Sequence, residues 1–272
     1  MPRPPDGEPG PLPRADGFGR LLASSWRLHR ATLGRLFWPY AALAVTVSPF
    51  PSGALAVVAH SVLAAGGPAT GIDVVLFVGT LTLPIALVGS FASCVAAVVM
   101  VGSVCGRDVR VSDAAATVWR ARRDVAPAAL VVAIMAWGLV MLGGFQGFGF
   151  APVLVFVVLG PPVLAHVVVV EGVAFEPAVA RGRALMRGNA VRTGVYLVAV
   201  GILVFVVLLA AVEIAVTLSG AVASIAYFPA LAIAGGVTLP FAAAAALTLY
   251  VEARASDEGL DAASLCAPRA ER

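Results

Sequence analysis

Glu171 to Arg192 read EGVAFEPAVARGRALMRGNAVR, a charged stretch set between two long apolar runs. Within it Phe175, Ala178, Val179, Gly182, Leu185 and Met186 fall at i, i+3, i+4, i+7, i+10 and i+11. That spacing traces one face of an α-helix, and Glu176, Arg181, Arg183 and Arg187 occupy the rest. Glu176 is the expected N-cap, with Pro177 at the first helical position, where a missing N–H costs nothing. The runs on either side are long enough to cross a bilayer. The insert is therefore expected on the membrane surface, with its apolar face down and its arginines in water.

Composition supports a membrane setting. The chain has 272 residues, of which 60% are hydrophobic and only 12% charged, against about 25% charged in ordinary globular domains. A soluble fold could not hide so much apolar surface, so the bilayer is the expected solvent. All 18 basic residues are arginine, and a net charge of +3 is too small to argue for nucleic acid. Cys94, Cys105 and Cys266 lack CxxC spacing and read as small or incidental residues, not as a disulfide framework. The proline-rich residues 1–17 hold no apolar run and are expected to form a disordered cytoplasmic tail.

The pattern of the insert occurs twice more. Phe18, Leu21, Leu22, Ser25 and Leu28 repeat it, as do Val111, Ala114, Ala115, Val118 and Ala121, with Ser112 as expected N-cap. Aligned on their first residues, the units make Phe18, Val111 and Phe175 equivalent, and likewise Arg30, Arg123 and Arg187. Spans are expected near residues 33–64, 72–104, 125–143, 150–170, 191–218 and 222–252. Ser48-Pro49-Phe50-Pro51 kinks the first span or divides it into re-entrant halves. Gly235-Gly236 and Pro240 are the expected flexible point of the last. The fold class is an all-α membrane protein, with six transmembrane helices as three hairpins. A cytoplasmic amphipathic surface helix precedes each hairpin, and the membrane domain covers 18–255, followed by a tail at 256–272.

Every arginine lies on one side of this arrangement, before span one, after spans two and four, and after span six. The positive-inside rule makes that side cytoplasmic, with both termini inside a plasma membrane. Arg27, Arg30, Arg120, Arg123, Arg181, Arg183 and Arg187 are candidate contacts to anionic lipid headgroups, each contributing about 1 kcal/mol near the surface. Setting topology alone would also account for them. Glu213 is the one carboxylate deep in an expected span, about two turns from the outer end of span five, and His60 and Asp73 lie at the outer ends of spans one and two. The three form a candidate intramembrane polar site, either a proton or cation site or carboxyls hydrogen-bonded within the bundle. The chain contains no Walker loop, GxSxG or HExxH pattern, so neither catalysis nor a cofactor or metal is expected.

Two stretches resemble a known family. Glu171-Gly172, Ala178, Arg181, Leu185 and Arg187-Gly188 form the first. Leu249-Tyr250-Val251-Glu252-Ala253-Arg254, followed by Glu258-Gly259-Leu260-Asp261, forms the second. Together they resemble bacterial six-span proteins of unknown function related to the membrane domain of glycerophosphoryl diester phosphodiesterases. That family usually has Asp at Glu252 and Ser-Trp at Gly182-Arg183, a pair found here at Ser25-Trp26. The resemblance implies architecture and carries no catalytic residue, since no phosphodiesterase domain is present. The expected role is non-catalytic, in lipid or membrane organisation or as an accessory to a partner complex. The alternative is a small-solute or proton-coupled transporter or channel with Glu213 in the path.

Overall fold

The computed structural model describes residues 18–47, 71–144, 161–187, 190–219 and 223–258, together with Cys266. Every element among these residues is helical: α1 (Phe18–Val47), α2 (Gly71–Val104), α3 (Val111–Arg120), α4 (Arg122–Gly144), α5 (Pro161–His166), α6 (Phe175–Met186), α7 (Ala190–Ser219) and α8 (Ala223–Glu258). One turn of π-helix, Val167–Glu171, continues α5. Among the described residues, segments of α2 (Leu87–Val104), α7 (Val191–Leu208) and α8 (Tyr227–Ser256) are long and apolar enough to cross a membrane. Of the other expected spans, residues 48–64 and 150–160 lie outside the described residues, and 125–143 falls within α4.

The three amphipathic stretches begin where the repeat places them. Helices α1, α3 and α6 start at Phe18, Val111 and Phe175. In each, the residues three and seven positions on are buried: Leu21 and Ser25, Ala114 and Val118, Ala178 and Gly182. What covers them differs from expectation. Leu185 and Met186 of α6 are each 1% exposed and join a core built from α2, α4, α5, the π-turn and α8. The apolar face of α6 is thus docked on protein, where the sequence reading put it on lipid.

The first amphipathic stretch is also not a separate surface helix. α1 runs unbroken from Phe18 to Val47, with Leu21, Ser25, His29, Thr32, Leu36 and Tyr40 buried along one stripe. Because a single face packs along its whole length, no break is needed where the arginine-bearing half meets the apolar half. Its N-terminal half meets α7 and α8 in a second cluster of Leu21, Tyr196, Val200, Phe241, Ala245 and Leu249. Ser25 and Tyr196 share a buried hydroxyl–hydroxyl hydrogen bond of 2.7 Å, and Ser25 also donates to the Leu21 carbonyl at 2.9 Å.

Small residues set the spacing of the bundle. Ala96, Ala97, Ala128 and Ala244 are fully buried, as close helix approach requires. Gly235 and Gly236, expected as a flexible point, lie inside the continuous α8 and form the seat on which α1 crosses. A Cβ on Gly235 would overlap that of Ala44. One on Gly236 would come within 2.8 Å of the Phe37 ring and 3.1 Å of its carbonyl oxygen. These glycines serve close packing.

The helix termini correct two expected caps. Ala174, not Glu176, occupies the cap position of α6. The N–H of Phe175 donates instead to the Asp124 carboxylate of α4, at 3.2 Å. Helix α3 starts one residue before the expected Ser112 cap, with Arg110 at the cap position and its carbonyl accepting from Asp113 and Ala114. α2 ends in a Schellman motif: Gly106, at φ +67°, donates to Ser103, and Arg107 donates to Gly102.

Cys105, at the last turn of that motif, is bonded to Cys266. This overturns the reading of both cysteines as incidental. Their separation of 161 residues carries no spacing signal, yet the fold brings their Cα atoms to 5.4 Å. Arg107 also donates to the Cys266 carbonyl at 2.6 Å. Cys94 is free and buried, as expected of a small apolar residue.

Candidate functional site

Among the described residues, the densest polar constellation lies where the π-turn, α6 and the C-terminal end of α8 meet. The π-turn carries one residue more per turn than an α-helix, a feature frequent at functional sites. It closes at Gly172, whose left-handed backbone (φ +71°) lets its N–H return to the Val168 carbonyl at 3.0 Å. The chain then turns into α6, and Glu171 is left at the junction, facing two arginines and a tyrosine.

Glu171 accepts from the buried Tyr250 hydroxyl at 2.9 Å. Arg254 lies 3.5 Å from the same carboxylate oxygen, and its guanidinium also donates to the Tyr250 hydroxyl at 3.1 Å. Arg181 reaches the other oxygen at 3.4 Å. Glu258 closes the ring, pairing with Arg181 and, at 3.0 Å, with Arg254. The Glu171 and Arg254 side chains are 13% and 11% exposed, so solvent screens them little. Two carboxylates and two guanidiniums balance in charge, as a half-buried group of ions requires. The His166 ring stacks on Tyr250 at 6.2 Å, and Arg192 pairs with Glu252 at 3.1 Å further along α8.

Five of these residues, Glu171, Arg181, Tyr250, Arg254 and Glu258, come from the two stretches quoted for the family resemblance. In the fold they are one cluster. The i,i+4 pair of Arg254 and Glu258 is readable from spacing alone. The links from Glu171 to α8, and from Asp124 to Phe175, join distant parts of the chain and leave no local pattern.

The candidate arginines divide into two sets. Arg181 is half-buried and occupied by Glu171 and Glu258, so its place is in the fold, not at a headgroup. Arg27, Arg30, Arg120, Arg123, Arg183 and Arg187 are exposed. Beside Arg120, the exposed Trp119 carries the Arg122 guanidinium over its ring at 5.3 Å. In the proposed outer trio, Glu213 is exposed on α7 and Asp73 lies in the first turn of α2, while His60 lies outside the described residues. Among the described residues no group of three or more His, Cys, Asp or Glu side chains is placed to hold a metal ion. No protein-family model, no curated protein and no solved structure matches the chain.

Proposed function

We propose that the chain is a multi-pass plasma-membrane protein of non-catalytic role, which holds an arginine-bearing cytoplasmic face against anionic lipid. In this reading six spans form three hairpins, both termini are cytoplasmic, and the kinship is with the six-span family that the two stretches resemble. The observation that carries it is the division of labour on the short helices. α3 and α6 dock their apolar faces into the bundle and leave Arg120, Arg183 and Arg187 exposed, as is Arg123 in the first turn of α4, just after α3. Those arginines hold no part of the fold together, whereas Arg181 and Arg254 do. An exposed Trp119 next to Arg120 suits the water–lipid interface, where tryptophan is enriched. A transport path through Glu213 draws less support, because that residue lies exposed on α7 rather than among packed groups.

The test is the lipid that stays with the full chain. Purified in mild detergent, the protein should retain anionic over zwitterionic phospholipid beyond their ratio in the source membrane. Replacing Arg120, Arg123, Arg183 and Arg187 with Gln should markedly lower the enrichment and leave thermal stability unchanged. Lipid retained in the bulk ratio by the unaltered chain would refute the reading.

A further inference from the structure

A groove of about 590 Å³ opens between the N-terminal half of α1 and helices α7 and α8. That is within the range of about 300–1,000 Å³ typical of small-molecule sites. Its walls are apolar, with Leu22, Val207 and Phe241 among them, and two polar side chains interrupt them. Thr238 is satisfied by the Ala234 carbonyl at 2.8 Å. His29 is not: it is fully buried, and neither ring nitrogen has a hydrogen-bond partner among the described residues. The imidazole sits between the rings of Trp26, at 5.4 Å, and Phe241, at 5.7 Å. An unpaired imidazole in an apolar wall calls for a molecule that is mostly apolar and carries a hydrogen-bonding group.

Depth and charge narrow the occupant. α7 ends at Ser219 and α8 starts at Ala223, and about 20 residues of helix, about 30 Å, cross the hydrocarbon. Counted from that end, the crossing finishes near Val200 and Ala242. The groove residues Leu203, Val204 and Phe241 therefore lie at the inner boundary of the hydrocarbon. Gly19, Leu22, Ala23 and Trp26 line the groove at i, i+3, i+4 and i+7 of α1. The same register continues to the exposed Arg30.

We propose that this groove is a binding site for one anionic phospholipid of the inner leaflet. An acyl chain lies against Val207, Val237 and Phe241, on the membrane side, an ester oxygen accepts from His29, and the phosphate meets Arg30. The inference rests on the membrane placement proposed above, and it names one defined site where that reading names a face.

Trp26 lines the groove and reports on its contents. Two forms of the full chain would each keep one of the four tryptophans, Trp26 in the first and Trp38 in the second, with the others changed to Phe. Each is reconstituted in phosphatidylcholine vesicles containing a minor fraction of acyl-brominated phosphatidylglycerol, a fluorescence quencher. Trp26 emission should fall about twofold or more, as occupancy of a selective site demands. Trp38, which is 73% exposed, should be quenched only in proportion to the bulk lipid. Among the described residues a Cβ on Gly19 meets nothing within 4 Å, so Gly19→Phe should fill the groove and reduce Trp26 quenching to the bulk level without unfolding the chain. Arg30→Gln should lower the preference for the anionic lipid. Equal quenching of the two tryptophans would overturn the proposal. So would equally strong quenching of Trp26 by brominated phosphatidylcholine in an anionic background. If the purified chain enriches anionic lipid while Trp26 shows no selectivity, the groove assignment alone falls. Selective quenching of Trp26 without enrichment at Arg120, Arg123, Arg183 and Arg187 removes the wider reading instead.

Discussion

Glu171→Gln removes one negative charge from a cluster in which Glu171, Arg181, Arg254 and Glu258 balance, and leaves it with an excess positive charge. Breaking a fully buried ion pair costs about 3–5 kcal/mol, most of it from the charge left without a partner. Here the upper end does not apply, because Arg181 and Arg254 keep Glu258 and their side chains are 29% and 11% exposed. About 2 kcal/mol is the expected loss. Glu171→Ala should cost about 1 kcal/mol more, because the buried Tyr250 hydroxyl then also loses its acceptor. For a chain of this size about 2–4 °C of melting temperature corresponds to 1 kcal/mol, so thermal melts of the detergent-purified protein resolve both variants. Arg35→Gln is the control. Arg35 pairs with Asp108 at 2.8 Å, but the two side chains are 39% and 81% exposed. Its loss should shift stability by less than about 1 kcal/mol. The combination Glu171→Gln with Arg254→Gln should destabilise less than the sum of the single changes, because neither charge is then stranded. Strict additivity, or a Glu171→Gln effect no larger than that of Arg35→Gln, would refute the cluster as a coupled unit.

Gly235→Ala should destabilise by about 1–3 kcal/mol, since its Cβ overlaps Ala44 at the α1 crossing. Gly34→Ala, where a Cβ meets nothing within 4 Å, should instead stabilise α1 by up to about 1 kcal/mol; equal effects in unfolding titrations would contradict the packing role of Gly235. Burial holds the His29 imidazole below its ordinary 6.5, so between the lowered native value and 6.5 the unfolded chain binds the proton more readily. The stability contributed by neutral His29 is present above that window and lost as pH falls through it, and His29→Leu should flatten that part of a melting-temperature profile. If the arginine face is cytoplasmic, its reducing compartment opposes the Cys105–Cys266 bond. Rapid alkylation of intact cells should then find both thiols free, with the bond forming once the protein meets air; a bond already present at alkylation would contradict the cytoplasmic placement of that face.

Helical periodicity carried a large part of the architecture. Amphipathic spacing located the starts of α1, α3 and α6 at Phe18, Val111 and Phe175, because a buried face must recur every three to four residues whatever covers it. The same indifference explains what periodicity missed. A face made for lipid and a face made for protein share one pattern, so the burial of Leu185 and Met186 under the bundle could not be read from 175–186 alone. Runs of apolar residues likewise do not distinguish a glycine that bends a helix from one that admits a neighbour; at Gly236 the difference is made by Phe37, far away in the chain.

Charge raises the same problem in a form that bears on function. Counting arginines by loop treats Arg181 and Arg187 alike, since both follow span four. Position relative to distant carboxylates separates them. Arg181 meets Glu171 and Glu258 and is held in a half-buried ring, where ion pairs are costly to break. Arg187 stays exposed at the end of the same helix. The side chains spent on the fold and those left for a partner thus sit less than two helical turns apart, and only the packing of α6 against the π-turn and α8 tells them apart. Arg187→Gln should accordingly leave the melting temperature unchanged while Arg181→Gln lowers it. Equal shifts would mean that the short helix holds its arginines for a single purpose.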